Sequence, residues 1–135
     1  MVWCAVAEFA AAAMPRTTLE EARLHPAIRE FVANLNADIV HNVQAAASSN
    51  PVLVVGMAGN PHVRRARKML DAAGIAHQYL EYGSYFGGWR RRNALKMWTG
   101  WPTFPMVFVR GTLVGGADEL ERLVRDGELK RTLGE

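Results

Sequence analysis

Residues 52–55, Val-Leu-Val-Val, narrow the fold more than any other stretch of this chain. The run is apolar at every position, rich in β-branched side chains and too short for a helix. Ser48-Ser49-Asn50-Pro51 stops the chain before it, and Gly56-Met57-Ala58-Gly59-Asn60-Pro61 follows it. That pattern reads as a strand buried on both faces. Downstream, Val63, Ala66, Leu70 and Ala73 mark one helix face until Gly74 closes it. Residues 75–82 are β-branched and aromatic enough for a second strand. Strand, helix and strand in this order make a right-handed βαβ unit.

The remaining elements build on that unit. Residues 88–99 read as a helix with Trp89, Leu95 and Trp98 on its apolar side. Residues 106–109 and 112–114 flank Arg110-Gly111 as a β-hairpin, and a final helix is expected over 117–132, carrying Leu120, Leu123, Val124 and Leu129. Upstream, Thr17-Thr18-Leu19-Glu20-Glu21 contains two overlapping capping boxes and Pro26 suits a first helical position, so two helices are expected in 18–47. In the second, Ile28, Phe31, Val32, Leu35, Ile39 and Val43 form one stripe that must dock on something. The expected class is α/β: a mixed four-stranded sheet flanked by helices, with an N-terminal helical extension.

Several functions are excluded early. The chain has 135 residues and one cysteine, Cys4. One cysteine cannot close an internal disulfide, supply a Cys-x-x-Cys pair or build a cysteine cage for zinc or an iron–sulfur cluster. His25, His41, His62 and His77 lack ligand spacing, so no metal site is expected. The net charge is only +3, and Arg64, Arg65, Arg67 and Lys68, with Arg90, Arg91 and Arg92, read as solvated helix faces. Nucleic acid is therefore not an expected partner. The apolar stretch 2–14 is interrupted by Glu8, is too short to span a bilayer and lacks a basic leader, so neither membrane insertion nor secretion is expected. A cytoplasmic, reducing compartment is the corresponding expectation. Residues 1–13 read as an upstream extension from a misplaced start, and residues 1–25 as a partly disordered extension ahead of a domain over 26–135.

Three stretches carry candidate chemistry, each with a structural reading beside it. The loop 56–61 presents a helix start suited to an anion or a thiolate, yet Asn60 is a favoured N-cap and Pro61 a favoured first-turn residue without any ligand. A dinucleotide fingerprint there, with Glu81 on the ribose, fails because Gly-x-Gly-x-x-Gly is not present. Trp101-Pro102-Thr103-Phe104-Pro105 reads as a fixed loop before the hairpin, with a candidate cis proline. Gly115-Gly116-Ala117-Asp118 allows close backbone approach, and Asp118 at a helix start is equally explained by the helix dipole.

Taken together, in this order, these stretches resemble the glutaredoxin family, most closely its monothiol branch. Trp101-Pro102-Thr103-Phe104-Pro105 is similar to that branch's Trp-Pro-Thr-hydrophobic-Pro, Arg92 with Leu95 to its Arg-x-x-Leu, and Gly115-Gly116-Ala117-Asp118 to Gly-Gly-Cys-Asp. Gly127-Glu128-Leu129 matches the closing Gly-Glu-Leu, and the helix before Asn50-Pro51 resembles the one preceding the first strand in monothiol members. The resemblance spans residues 51–133 and implies a thioredoxin-like fold and a glutathione cradle. In that cradle Thr103 and Phe104, ahead of a cis Pro105, would pair with the cysteinyl part of glutathione. Arg92 would clamp its glycine carboxylate, and Gly116, Ala117 and Asp118 would hold its γ-glutamyl end.

One departure redirects the functional expectation. Asn60-Pro61-His62-Val63 falls where the family carries Cys-Pro-Tyr-Cys, or Cys-Gly-Phe-Ser in a longer monothiol loop, and the family's glutathione-binding lysine falls on Met57. An amide is neither a usable nucleophile nor a fair replacement for a thiolate on iron. The expectation is a module without catalytic residues that binds glutathione, or an extended segment of a partner protein, beside Pro105. Two alternatives stand against it. One is a glutathione-dependent oxidoreductase or iron–sulfur carrier drawing on Cys4. The other is a structural, homo-oligomerising domain that uses helix 26–47 and exposed Tyr82, Tyr85, Phe86 and Trp89.

Overall fold

The computed structural model describes residues 15–134; Cys4 and the expectations for residues 1–13 lie outside them. Strands β1 (Val52–Ala58), β2 (Gln78–Ser84), β3 (Met106–Val109) and β4 (Thr112–Gly115) form one mixed sheet in the order β2-β1-β3-β4. β1 runs parallel to β2 and antiparallel to β3, which pairs antiparallel with β4. As the uninterrupted apolar run requires, β1 is central and buried from residue 52 to residue 57.

Helices α1 (Pro26–Asn34), α2 (Ala37–Ser49), α3 (Pro61–Ala72), α4 (Trp89–Thr99), α5 (Ala117–Arg125) and α6 (Glu128–Thr132) complete the chain. Alternation along β1 divides the core between them, because successive strand side chains point to opposite faces. Leu53, Val55 and Met57 pack with Ile39 and Val43 of α2, Leu95 of α4 and Phe108. Val52 and Val54 pack with Ala66 and Leu70 of α3, Leu120 of α5 and Leu129 of α6. The expected α/β thioredoxin-like architecture is present, with helices on both faces of the sheet. Gly56 lets α3 approach closely: a Cβ there would stand 2.7 Å from both methyl groups of Val63.

Four element boundaries differ from expectation, each for a local reason. Residues 18–24 contain only a single 3-10 turn, Glu21–Arg23, without a side-chain cap, so the two capping boxes go unused. His25 caps α1 instead, its ring accepting from Ala27 N–H at 3.0 Å. The helix expected over 26–47 breaks at Asn36, which adopts a left-handed conformation (φ 51°) that its short polar side chain tolerates. Only the second part of the stripe docks: Ile39 and Val43 are buried, while Ile28, Phe31, Val32 and Leu35 are 41–65% exposed. At the C-terminus, left-handed Gly127 (φ 71°) separates α5 from α6 in place of one helix over 117–132. β2 begins at Gln78 rather than Ile75, since Ile75 N–H is spent on Leu70 C=O (2.9 Å) beyond left-handed Gly74, closing α3. Among the described residues no helix is long and apolar enough to cross a membrane.

Candidate functional site: a groove between two helix starts

The starts of α3 and α5 and the loop before β3 enclose a groove of about 270 Å³, lined by His62, Arg65, Trp101, Thr103, Phe104, Pro105, Gly116, Ala117, Asp118 and Glu119. The candidates Thr103, Phe104, Pro105, Gly116, Ala117 and Asp118 therefore converge, although they come from two segments. The volume lies just below the roughly 300–1,000 Å³ of enclosing ligand pockets, which suits a chain laid along a cleft better than an engulfed molecule. A wider hollow of about 460 Å³ over Pro61, Arg64, Arg65, Lys68, Met69 and Ala72 is the basic outer face of α3.

At the start of α3 the first-turn donors are satisfied from within. Asn60 is 7% exposed, and its Oδ1 accepts from His62 N–H (2.8 Å) and Val63 N–H (3.2 Å). Arg64 N–H donates to Asn60 C=O (3.2 Å), and Pro61 has no N–H to satisfy. Every donor of the first turn is accounted for by one residue, so this helix start has none left for a ligand. Beside it on β1, Met57 packs into the core at 7% exposure and projects no charge into the groove.

The start of α5 is built differently. Gly116 has no side chain to cap with, and Glu119 instead reaches back to accept Gly116 N–H at 2.9 Å. The N–H groups of Ala117 and Asp118 find no partner among the described residues. Gly116 also forms the floor of the groove: a Cβ there would lie 3.4 Å from Pro105 C=O and 3.6 Å from Trp101 Nε1. The opposite wall is the loop before β3, where the Phe104–Pro105 bond is cis and Phe104 is buried in the core. Thr103 is exposed, with its backbone N–H and C=O likewise unpartnered among the described residues. A short polar chain sets that loop: Trp101 N–H donates to Thr99 Oγ1 (3.1 Å), whose hydroxyl donates to Leu95 C=O (2.8 Å). Trp101 Nε1 is buried and makes no hydrogen bond among the described residues.

Asp118 does not stand free. Arg65 Nη2 donates to its Oδ1 at 2.6 Å, and this guanidinium hydrogen bond, with the charge behind it, holds the Asp118 carboxyl below the usual range. The pairing of Arg65 with Asp118 is not legible in the sequence, because it joins residues 53 positions apart on two different helices.

Arg92, expected to clamp a ligand carboxylate, is not among the groove residues. It is 6% exposed, and its Nη1 donates to Tyr82 C=O (3.0 Å) and Gly87 C=O (2.8 Å). The guanidinium fastens the turn between β2 and α4, where a Cβ on Gly83 would collide with Arg92 Nη1 at 2.6 Å. Tyr82 is correspondingly half-buried against the core rather than exposed, whereas Tyr85, Phe86 and Trp89 do stand out at 64%, 101% and 58%.

No family model matches the chain. It is 46% identical over 102 residues to the "Glutaredoxin-like protein" of Dictyostelium discoideum, covering 76% of this chain and 83% of that protein. Over 106 residues it is 31% identical to "Monothiol glutaredoxin-S4, mitochondrial" of Oryza sativa subsp. japonica, covering 76% of this chain but only 56% of that relative. Among solved structures, the crystal structure of a buckwheat glutaredoxin–glutathione complex matches with a TM-score of 0.66 at 30% identity, over 75% of this chain and 92% of that one.

Proposed function

The chain belongs to the glutaredoxin family, and from that premise we propose that it is a non-catalytic member that binds glutathione, or an extended segment of a partner protein, in the groove beside Pro105. The observation that carries the reading is Asn60, which stands where the family has sulfur and spends its side chain on His62 and Val63 N–H. A residue so engaged is part of the scaffold, and its amide cannot attack a disulfide.

The groove supports glutathione at two of three points. Thr103 offers an unpartnered N–H and C=O to an extended cysteinyl unit, in the manner of a strand added to an edge. Ala117 and Asp118 offer open N–H groups at the positive end of α5 to a γ-glutamyl carboxylate. The glycine end fares worse. Met57 is buried where the family carries lysine, and Arg92 is committed to two carbonyls. Losing one charge-assisted contact weakens binding by about 1.5–3 kcal/mol, roughly tenfold to a hundredfold. Affinity is therefore expected to be modest, and a cytoplasmic or other reducing compartment, where glutathione is abundant, suits it.

Titration of the full chain with reduced and oxidised glutathione tests the proposal. Amide resonances of Thr103, Gly116, Ala117 and Asp118 and the fluorescence of Trp101 are expected to respond, while those of α1 stay still. No response at millimolar ligand would remove glutathione from the reading.

A further inference from the structure

One end of the groove already holds a cation, and it belongs to the protein. Arg65 Nη2 lies 2.6 Å from Asp118 Oδ1, and its Nη1 lies 3.7 Å from Glu121 Oε2, so one guanidinium of α3 bridges two acidic residues of α5. Its Nε is buried and without a hydrogen-bond partner among the described residues. Glu119, the remaining carboxylate at this helix start, accepts Gly116 N–H and sits 3.5 Å from Arg122. Every carboxylate here is thus matched by a donor of the chain itself, while the open N–H groups of Ala117 and Asp118 stay suited to an incoming carboxylate.

We propose that Arg65 is a specificity-determining residue of the groove: by occupying Asp118 it takes the place of a ligand ammonium, so the groove selects an extended, carboxylate-bearing chain without a free α-amino group. An internal acidic residue of a protein segment presents that chemistry; free glutathione, with its α-ammonium, does not. The inference rests on the groove-binding reading above and chooses between the two ligands that reading allows. For an ammonium to reach Asp118, Arg65 must leave or share the carboxylate. Arg65, set beside open N–H groups, strengthens the site for a carboxylate alone.

The test pairs two probes with three proteins. Reduced glutathione, and an analogue with glutaryl in place of γ-glutamyl and therefore no α-amino group, are titrated by NMR into the wild-type chain, Arg65→Gln and Arg65→Lys. The wild type is expected to bind the analogue about two- to fivefold more tightly than glutathione. In Arg65→Gln, glutathione should gain about two- to fivefold over the analogue, the range that an exposed ion pair supports. Arg65→Lys keeps the charge and should restore the wild-type ratio. The same ratio in wild type and Arg65→Gln, or a wild type that does not prefer the analogue, overturns the role of Arg65 and leaves groove binding standing. Failure of all three well-dispersed proteins to bind either probe overturns the groove reading and this inference with it.

Discussion

Two helices begin at the same groove and end their backbones in opposite ways. α3 opens on Asn60, whose side-chain oxygen and carbonyl absorb every first-turn donor. α5 opens on Gly116, which has nothing to offer, so Ala117 and Asp118 keep open N–H groups. Helix starts carry partial positive charge and bind anions wherever their donors are free. Here the donors of one start are spent within the fold and those of the other face the groove. A site with one open terminus can hold a carboxylate.

Reversing the closed terminus gives the largest effect. Asn60→Cys should be less stable by about 1 kcal/mol, because a thiol is a poor substitute for the amide oxygen as cap. The same change frees His62 and Val63 N–H to stabilise a thiolate, lowering its pKa below the ordinary value of about 8.5. The variant is then expected to show faster glutathione-dependent reduction of a mixed disulfide than the wild type. Activity assays and thiol titration check this; a low-pKa thiolate without activity would mean that the groove does not present glutathione to that position.

Adding one methyl group against each terminus, from Gly56 of β1 for α3 and at Gly116 itself for α5, sharpens the contrast. Gly56→Ala forces a Cβ to within 2.7 Å of both Val63 methyl groups and should destabilise the fold by about 1–3 kcal/mol. Gly116→Ala meets nothing closer than 3.4 Å, so its stability should change by no more than about 1 kcal/mol, while ligand binding weakens because the groove floor rises. Chemical denaturation and ligand titration of both variants separate the two outcomes. Equal stability losses would contradict the division of labour.

The smallest effect is a pH dependence on the closed side. Tyr79 of β2 lies beside Gly56, where a Cβ would stand 3.2 Å from its ring. Burial, reinforced by its hydrogen bond to Glu81 (2.9 Å) and opposed by the Arg67 guanidinium 4.0 Å from its ring, pushes its pKa up to about 12. The unfolded chain ionises this phenol near 10.0, so its contribution to stability is intact below that pH and lost as pH rises toward 12. Denaturation midpoints measured through this window should fall less steeply in Tyr79→Phe than in the wild type.

How much of this was visible in the chain depended on how local the cause was. The central strand, the Asn60 cap and the hairpin each follow from neighbouring residues, and each is found where the sequence put it. Residues of the two motifs at 101–105 and 115–118 also line one groove. The break at Asn36 escaped notice because Leu35 and Ile39 keep helical spacing across it, so an apolar stripe survives a change of direction. The contacts of Arg92 and Arg65 were hidden for a related reason. Both sit in runs of basic residues that read as solvated, and only tertiary contact turns one into a loop fastener and the other into a partner for Asp118.

The cap at Asn60 also ties this position to folding. Because its side chain holds a helix in place, its loss is felt by the whole fold, whatever the substrate. Any exchange of the amide for sulfur then runs through a less stable protein, so folding alone favours asparagine here.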